Sequence, residues 1–254
     1  MFGLRTDIIP ALYFGKGGFM ANLLIVDASS SLCSVALVAG SEVLSLEERQ
    51  PRKHAQRLLP LVDDILSEAG VARHQLDGVA FGRGPGSFTG IRIAISVVQG
   101  MALGLELPVL GVSSLEMLAS AAAHDLSANS LSNDVQVAAI MNAHMGEVFW
   151  GRYVVADGLA ALTGEEKVGT PESCHESLTD FNGMVLGNGI PLLSELKGLE
   201  SDASAEPLAR FVAPRVKVAW DAGEFSGIDN HPPVYLRDSV AWKKLDEQPS
   251  LLKR

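Results

Sequence analysis

An α/β fold in two halves is predicted by three features of this sequence. Short apolar runs alternate with helical periodicities from residue 23 to about 123; a polar stretch, 125–134, interrupts them; and a second pair of strands joined by a tight turn begins at 135. The length of 254 residues allows one large domain or two small ones. A hydrophobic share of 47% against 20% charged residues belongs to a folded globular chain and sets aside disorder and collagen-like repeats.

The first element is the run Leu23-Leu-Ile-Val-Asp, a buried strand that closes in a polar turn at 28–31. Residues 33–38 alternate into a second strand, Ala39 and Gly40 turn it, and 42–47 makes a third, so an antiparallel meander is expected. The period then changes. Leu58, Leu61, Val62, Ile65 and Ala69 share one helical face, with Asp63, Asp64, Ser67 and Glu68 opposite, and Gly70 closes the helix in left-handed backbone. A strand at 76–81 runs into Gly82-Arg-Gly-Pro-Gly-Ser-Phe-Thr-Gly; residues 91–105 read as a helix apolar almost all round, 107–112 as a strand, and Ser113 or Ser114 caps a helix to about 123. In the second half, strands at 135–142 and 147–155 flank a turn at 143–146. A loop at 164–170, a helix at 171–178, a strand at 183–186, a short helix after Pro191 and another over 207–212 follow, and 232–244 reads as extended, then charged. Both halves open alike, which hints at a duplicated unit. Residues 1–19 mix Pro10, Gly15, Gly17 and Gly18 with scattered apolar residues, and Asp7 and Pro10 break the run that a secretory signal needs. They are set outside the fold as an extension ahead of Met20, disordered or translated from an upstream start. Lobe one is then 20–124, and lobe two, with a C-terminal tail, is 135–254.

Charge bounds the partners. Thirty acidic against 20 basic residues leave a formal net charge of −10, unsuited to gripping nucleic acid unaided, because such binding displaces phosphate counterions with cationic side chains. The basic clusters at 49–57 and 237–244 are short and read as solvated faces. Two cysteines, Cys33 and Cys174, fit separate thiols in a reducing compartment. No uninterrupted apolar run of about eighteen residues occurs, so no membrane span is expected.

The stretch 82–90 is the most informative. Its four glycines let backbone approach another object closely, and Ser87 or Thr89 can cap the following helix, whose amino end suits an anion. Gly84, Gly86 and Ser87 therefore read either as a nucleotide or phosphate contact or as a structural strand-to-helix turn. No Gly-Lys-Ser/Thr ends the stretch, so it is not a P-loop. Asp27, at the end of the first strand, either orients water or a metal-bound phosphate or bonds its own turn. No histidine pair has metal-ligand spacing, His175-Glu176 lacks the second histidine of a zinc-protease helix, and no Gly-x-Ser-x-Gly elbow exists. Partners are read from the 91–105 helix instead. Ile91, Ile93, Ala94, Ile95, Val97, Val98, Met101 and Ala102 spread around most of its circumference, which requires cover on more than one side, and Leu59 and Leu66 of the preceding helix lie off its main stripe.

The segments Leu24-Ile-Val-Asp-Ala-Ser, His54-Ala-Gln-Arg-Leu-Leu-Pro, Gly82-Arg-Gly-Pro-Gly-Ser-Phe-Thr-Gly-Ile-Arg, Gly111-Val-Ser-Ser-Leu-Glu and Val234-Tyr-Leu-Arg-Asp, in this order, resemble the TsaB (YeaZ) branch of the Kae1/TsaD family. The resemblance runs from Met20 to about Lys244. It implies an actin-like, two-lobed ATPase fold of the hsp70 and sugar-kinase superfamily, with a degenerate second lobe. It also implies a cytoplasmic, non-catalytic partner of TsaD and TsaE in transferring threonylcarbamoyl from threonylcarbamoyl-AMP to adenosine 37 of tRNAs that read codons beginning with A. No metal or cofactor is implied: the TsaD histidine pair falls at Ser114 and Leu118, and the second nucleotide loop reads Asn142-Ala-His-Met-Gly-Glu. tRNA is met only through the complex. Leu58, Leu59, Val62, Ile65, Leu66, Ile93, Val97 and Met101 are the interface expected with TsaD, and the same surface is expected to form a homodimer when the chain is alone. A nucleotide-binding ATPase or kinase and a glycoprotease-type peptidase are the competing readings.

Overall fold

The structure, a computed structural model, describes residues 5–8, 21–49, 53–126, 134–194, 196 and 198–237. Most of residues 1–19, much of the linker, both basic clusters in part, and the tail beyond 237 lie outside the described residues.

The first sheet is built from β1 (Arg5–Ile8), β2 (Asn22–Asp27), β3 (Leu32–Ala39), β4 (Glu42–Arg49), β5 (Gly78–Gly82) and β6 (Val109–Val112), in the order β1-β4-β3-β2-β5-β6. The meander β2-β3-β4 is antiparallel, while β5 and β6 add in parallel through α1 (His54–Ala69) and α2 (Phe88–Leu105). Residues 1–19 do not lie wholly outside the fold, since Arg5–Ile8 pairs antiparallel with β4. An edge strand offers unpaired amides to any extended segment, and here the chain's own amino end takes them.

The second sheet uses β7 (Val135–His144), β8 (Glu147–Ala156), β9 (Leu159–Leu162), β10 (Lys167–Gly169), β11 (Met184–Leu186) and β12 (Glu200–Asp202). Its path is β10-β8-β7-β11-β12, with β9 sharing the outer edge of β8. The pair β7-β8 is antiparallel, and β11 and β12 are parallel to β7, so the meander-then-parallel order of the first sheet recurs. That recurrence is the actin-like plan the resemblance implies. The second copy is reduced. Where the first has the 16-residue α1, the second has the 6-residue α4 (Pro171–Glu176), and where the first has α2 it has only a 3₁₀ turn, Ile190–Leu192.

Period-two alternation on β2 separates the two faces of the first sheet. Leu24 and Val26 pack with Leu58, Leu61, Val62, Ile65, Ala94 and Val98, the buried sides of α1 and α2. Leu23 and Ile25 face the other way, against Val212, Ala213, Val216 and Ala219. Those four residues belong to a 3₁₀ turn, Ala209–Val212, and to α5 (Ala213–Asp221), which lie in the second half of the sequence. The exchange is mutual. α3 (Ser114–Leu126), which follows β6, places Leu115, Leu118, Ala119 and Ala122 against Val137, Ala139 and Met141 of β7. Each sheet is thus closed by a helix from the other half of the sequence. A strand with both faces covered reads as a continuous apolar run, as 23–26 does.

α2 is long and apolar enough to cross a membrane by length and composition, with a mean hydropathy of 1.5, although its sequence is interrupted. In this fold Ile91, Ala94 and Val98 seat it on the sheet with at most 1% exposure, so it is a core-facing helix.

α1 shows which leucines hold the fold. Replacing Leu58, fully buried, by Ala is expected to cost about 2–5 kcal/mol. Leu59→Ala, at 43% exposure, is expected to change stability by no more than about 0.5 kcal/mol. Urea unfolding of the two variants checks the assignment.

Candidate functional site

Asp27 ends β2 with its side chain fully buried. Its Oδ2 accepts from the Ser29 amide and the Ser29 hydroxyl, both at 3.1 Å, while Oδ1 finds no hydrogen-bond partner. Oδ1 instead lies against Gly82, where a Cβ would overlap it. Burial pushes the carboxyl up to about 7, the Ser29 hydrogen bonds offset part of that rise, and the Glu206 charge adds to it.

The glycine stretch folds back on the same strand end. A Cβ at Gly86 would strike the carbonyl of Ser29, and one at Gly90 the carbonyl of Ala28. The Ser87 amide donates to the Ser29 carbonyl at 2.7 Å, and Ser87 Oγ accepts from the Gly90 amide at 3.2 Å, capping α2 three residues earlier than its apolar run begins. Gly84, at φ +101°, has the Val234 carbonyl and Ile91 Cδ1 2.9 Å from where its Cβ would stand. The sequence-predicted set Asp27, Gly84, Gly86 and Ser87 is therefore brought together, and the space its glycines free is filled by main chain and side chains of the same protein. Ser30 and Ser31 hydroxyls, at the turn where a phosphate would be met, donate to Glu206 at 2.7 and 3.2 Å, and Arg49 Nη2 lies 2.5 Å from the same carboxylate. Both hydroxyls are thus already committed to a carboxylate of the same chain.

The corresponding turn of the second sheet, between β7 and β8, is Asn142–Gly146. Asn142 Oδ1 accepts from the His144 amide at 2.7 Å, and Asn188 Oδ1 accepts from the Asn142 amide at 2.8 Å. Ser114 and Leu118, which stand where the resemblance puts the TsaD histidines, are both fully buried on α3. No group of three or more His, Cys, Asp or Glu able to hold a metal ion occurs among the described residues. A second polar cluster joins the lobes: Tyr153 Oη donates to Glu166 at 2.6 Å and Ser113 Oγ bonds the same carboxylate, while burial raises Glu116 to about 7 despite Arg215 at 3.6 Å.

The eight residues expected at a partner surface divide. Leu58, Val62, Ile65, Leu66 and Met101 are no more than 8% exposed and pack inside the core of the first sheet, which corrects their assignment to an interface. Leu59 is exposed, and Ile93 and Val97 are half-buried on the flank of α2. Around these three the structure adds residues that sequence reasoning missed. Leu103 is 78% and Phe88 55% exposed, and Gly100 and Gly104 have nothing within 4 Å of an added Cβ. The signal was present: Ser96, Gly100 and Gly104 recur every four residues, on one face of a helix.

A fold of two such sheets closed by exchanged helices, with this glycine loop against the first strand, defines an actin-like protein of the TsaD group. The sequence profile of TsaD, tRNA N6-adenosine threonylcarbamoyltransferase, matches residues 46–177. The tRNA threonylcarbamoyladenosine biosynthesis protein TsaB of Escherichia coli K12 is 38% identical over 234 residues, 88% of this chain and 98% of the relative. TsaB of Haemophilus influenzae is 35% identical over 88% of this chain and 97% of its own length. The solved structure of YeaZ from Pseudomonas aeruginosa superposes with a TM-score of 0.77 at 42% identity, covering 85% of this chain and all of that one. A second solved chain, described as similar to peptidase YeaZ from that organism, matches at the same TM-score and identity. The chain belongs to the TsaB family.

The buried Asp27 makes a pH prediction. Its folded pKa is raised, so its contribution to stability is full below the unfolded value near 4 and is lost as pH rises through about 7. The Asp27→Asn variant is therefore expected to gain melting temperature relative to the parent between pH 5 and pH 8. A difference that does not vary with pH contradicts the buried, under-bonded carboxyl.

Proposed function

We propose that the chain is a non-catalytic, cytoplasmic accessory subunit in tRNA threonylcarbamoyladenosine biosynthesis. It docks on a TsaD-type subunit, works with TsaE, and supports transfer of threonylcarbamoyl from threonylcarbamoyl-AMP to adenosine 37 of tRNA without gripping RNA itself. The observation that carries this reading is the outer face of α2. Gly100 and Gly104 stand in open space on that face, beside Leu103, Ile93 and Val97. A mid-helix glycine costs about 1 kcal/mol relative to Ala, so two of them on an exposed face weaken the isolated protein. They also leave a track along which a second helix can approach closely, with apolar side chains on either side to bury. The same face supports a homodimer when the chain is alone. A net charge of −10 suits a subunit that leaves tRNA contact to its partner.

The ATPase or kinase reading is the weaker one, because the first-lobe glycines are filled by Asp27–Ser29 and the Ser30 and Ser31 hydroxyls are engaged by Glu206. A peptidase reading has only the description of one solved neighbour behind it.

The test is a reconstituted tRNA threonylcarbamoylation assay with TsaD, TsaE, tRNA and a source of threonylcarbamoyl-AMP, with and without this protein. Product formation is expected to depend on it, while the isolated protein hydrolyses no ATP. Full product without it overturns the proposal.

Variants locate the surface. Leu103→Glu and Val97→Glu are expected to abolish TsaD binding and homodimerisation together, and Leu103→Glu to leave the melting temperature within about 2 °C, since the site is exposed. Gly100→Leu separates folding from docking: it is expected to stabilise the free protein by about 0.8 kcal/mol while blocking close helix approach. Unfolding midpoints set beside binding isotherms check both signs.

A further inference from the structure

The segment after the last 3₁₀ turn, Ile228–Asn230, has no regular secondary structure, yet His231 and each of residues 234–237 are engaged. His231 Nε2 lies 3.0 Å from Ser226 Oγ, which fixes the start. The Val234 amide donates to the Arg83 carbonyl at 2.8 Å, seating the segment on the glycine loop. Tyr235 sets its ring 5.7 Å from Phe88, at the first turn of α2, and its hydroxyl accepts from Arg92 Nε at 3.4 Å, while the Arg92 guanidinium stacks 3.8 Å over Phe88. One residue on, the segment has changed lobes. Leu236 packs into the core between α3 and β7, and Arg237 donates to the Ala143 carbonyl at 3.2 Å and to the Glu147 carboxylate, gripping both sides of the β7-β8 turn.

We propose that residues 231–237 are a strap, tying the first turn of α2 to the β7-β8 turn so that docking along α2 and the angle between the lobes are coupled. This rests on the reading of α2 as the docking face. Two residues of α2, Phe88 and Arg92, meet Tyr235, which is 46% exposed beside the 55% exposed Phe88 at the first turn of that helix. A partner helix laid along α2 therefore meets a side chain whose next two neighbours are fixed in the other lobe. Force or order at Tyr235 passes through two covalent links to Arg237 and the turn. The strap also explains why position 84 carries glycine: the Val234 carbonyl occupies the room a side chain would need.

Arg237→Ala in the full-length protein tests the strap by amide hydrogen exchange. Expected is an exchange rate at least tenfold faster both in the 142–147 turn and at the Val234 amide, with β2 and α1 unchanged. Glu147→Gln removes the same ion pair from the other side and is expected to act alike, which guards against a folding defect peculiar to one variant. Adding TsaD is expected to slow exchange in the 142–147 turn of the parent but not of Arg237→Ala, and TsaD affinity is expected to fall roughly tenfold in both variants. Loosening confined to the turn, with Val234 exchange and TsaD affinity at parental values, overturns the proposal. A parent that fails to bind TsaD sinks the docking reading and with it the coupling, whereas parental binding with no protection of the turn sinks the coupling alone.

Discussion

The exchange of helices between the two sheets is the constraint on which the rest of this structure depends. β2 is buried on both faces only because α5, far along the sequence, covers the side that α1 and α2 leave open. β7 is buried in the same way by α3, which arrives from the first half. Neither sheet closes its core with the elements of its own lobe, so the lobes fold as one unit. α3 and α5 fill the middle layer and meet each other through Glu116 and Arg215. α1 and α2 are left on the outside, packed on one face only.

That arrangement decides what each conspicuous feature of the sequence can do. The glycine stretch 82–90 has the look of a ligand cradle, and its glycines are needed because other atoms come close. Those atoms belong to Asp27, Ala28, Ser29 and Val234. A carboxylate from the second lobe, Glu206, holds the hydroxyls at the adjacent turn, and Asp27 is driven toward its neutral form by burial. The polar groups around the glycine stretch are taken up by internal packing and interlobe bonding. The outer face of α2 went the other way, keeping two glycines and an exposed leucine where a solitary helix gains from alanine and charge.

The first lobe was largely legible because its elements are long and its pattern strong. The stripe Leu58, Leu61, Val62 and Ile65, the left-handed stop at Gly70 and the Ser87 cap all match the structure. The second lobe was not, for reasons of length and company. β10 and β12 are three residues each, too short to show alternation, and they exist because β8 and β11 offer open edges. β9 is four apolar residues, Leu-Ala-Ala-Leu, with no alternation to mark a strand, and its last two are exposed at the edge of β8. α5 begins with Ala213 and Pro214 and was hidden by the proline, which at the first turn of a helix is tolerated because its missing amide has no partner there. β1 shows no pattern of its own and is recruited by the open edge of β4. On α2, helical periodicity marked an all-round apolar helix but not which side of it the sheet covers. Apolar residues all round leave the burial of Met101 and the exposure of Leu103 and Phe88 undetermined until the sheet is in place.

On the proposed function, the working surface of this protein is the outer face of α2 and not its 28–31 and 142–146 turns. An interaxial distance, measured in a structure of the chain bound to TsaD, tests this most directly. The expected result is a TsaD helix crossing α2 at Gly100 with an axis separation of about 8 Å or less, the close end of helix packing. A TsaD surface seated across the 28–31 and 142–146 turns, with α2 left in solvent, would contradict it.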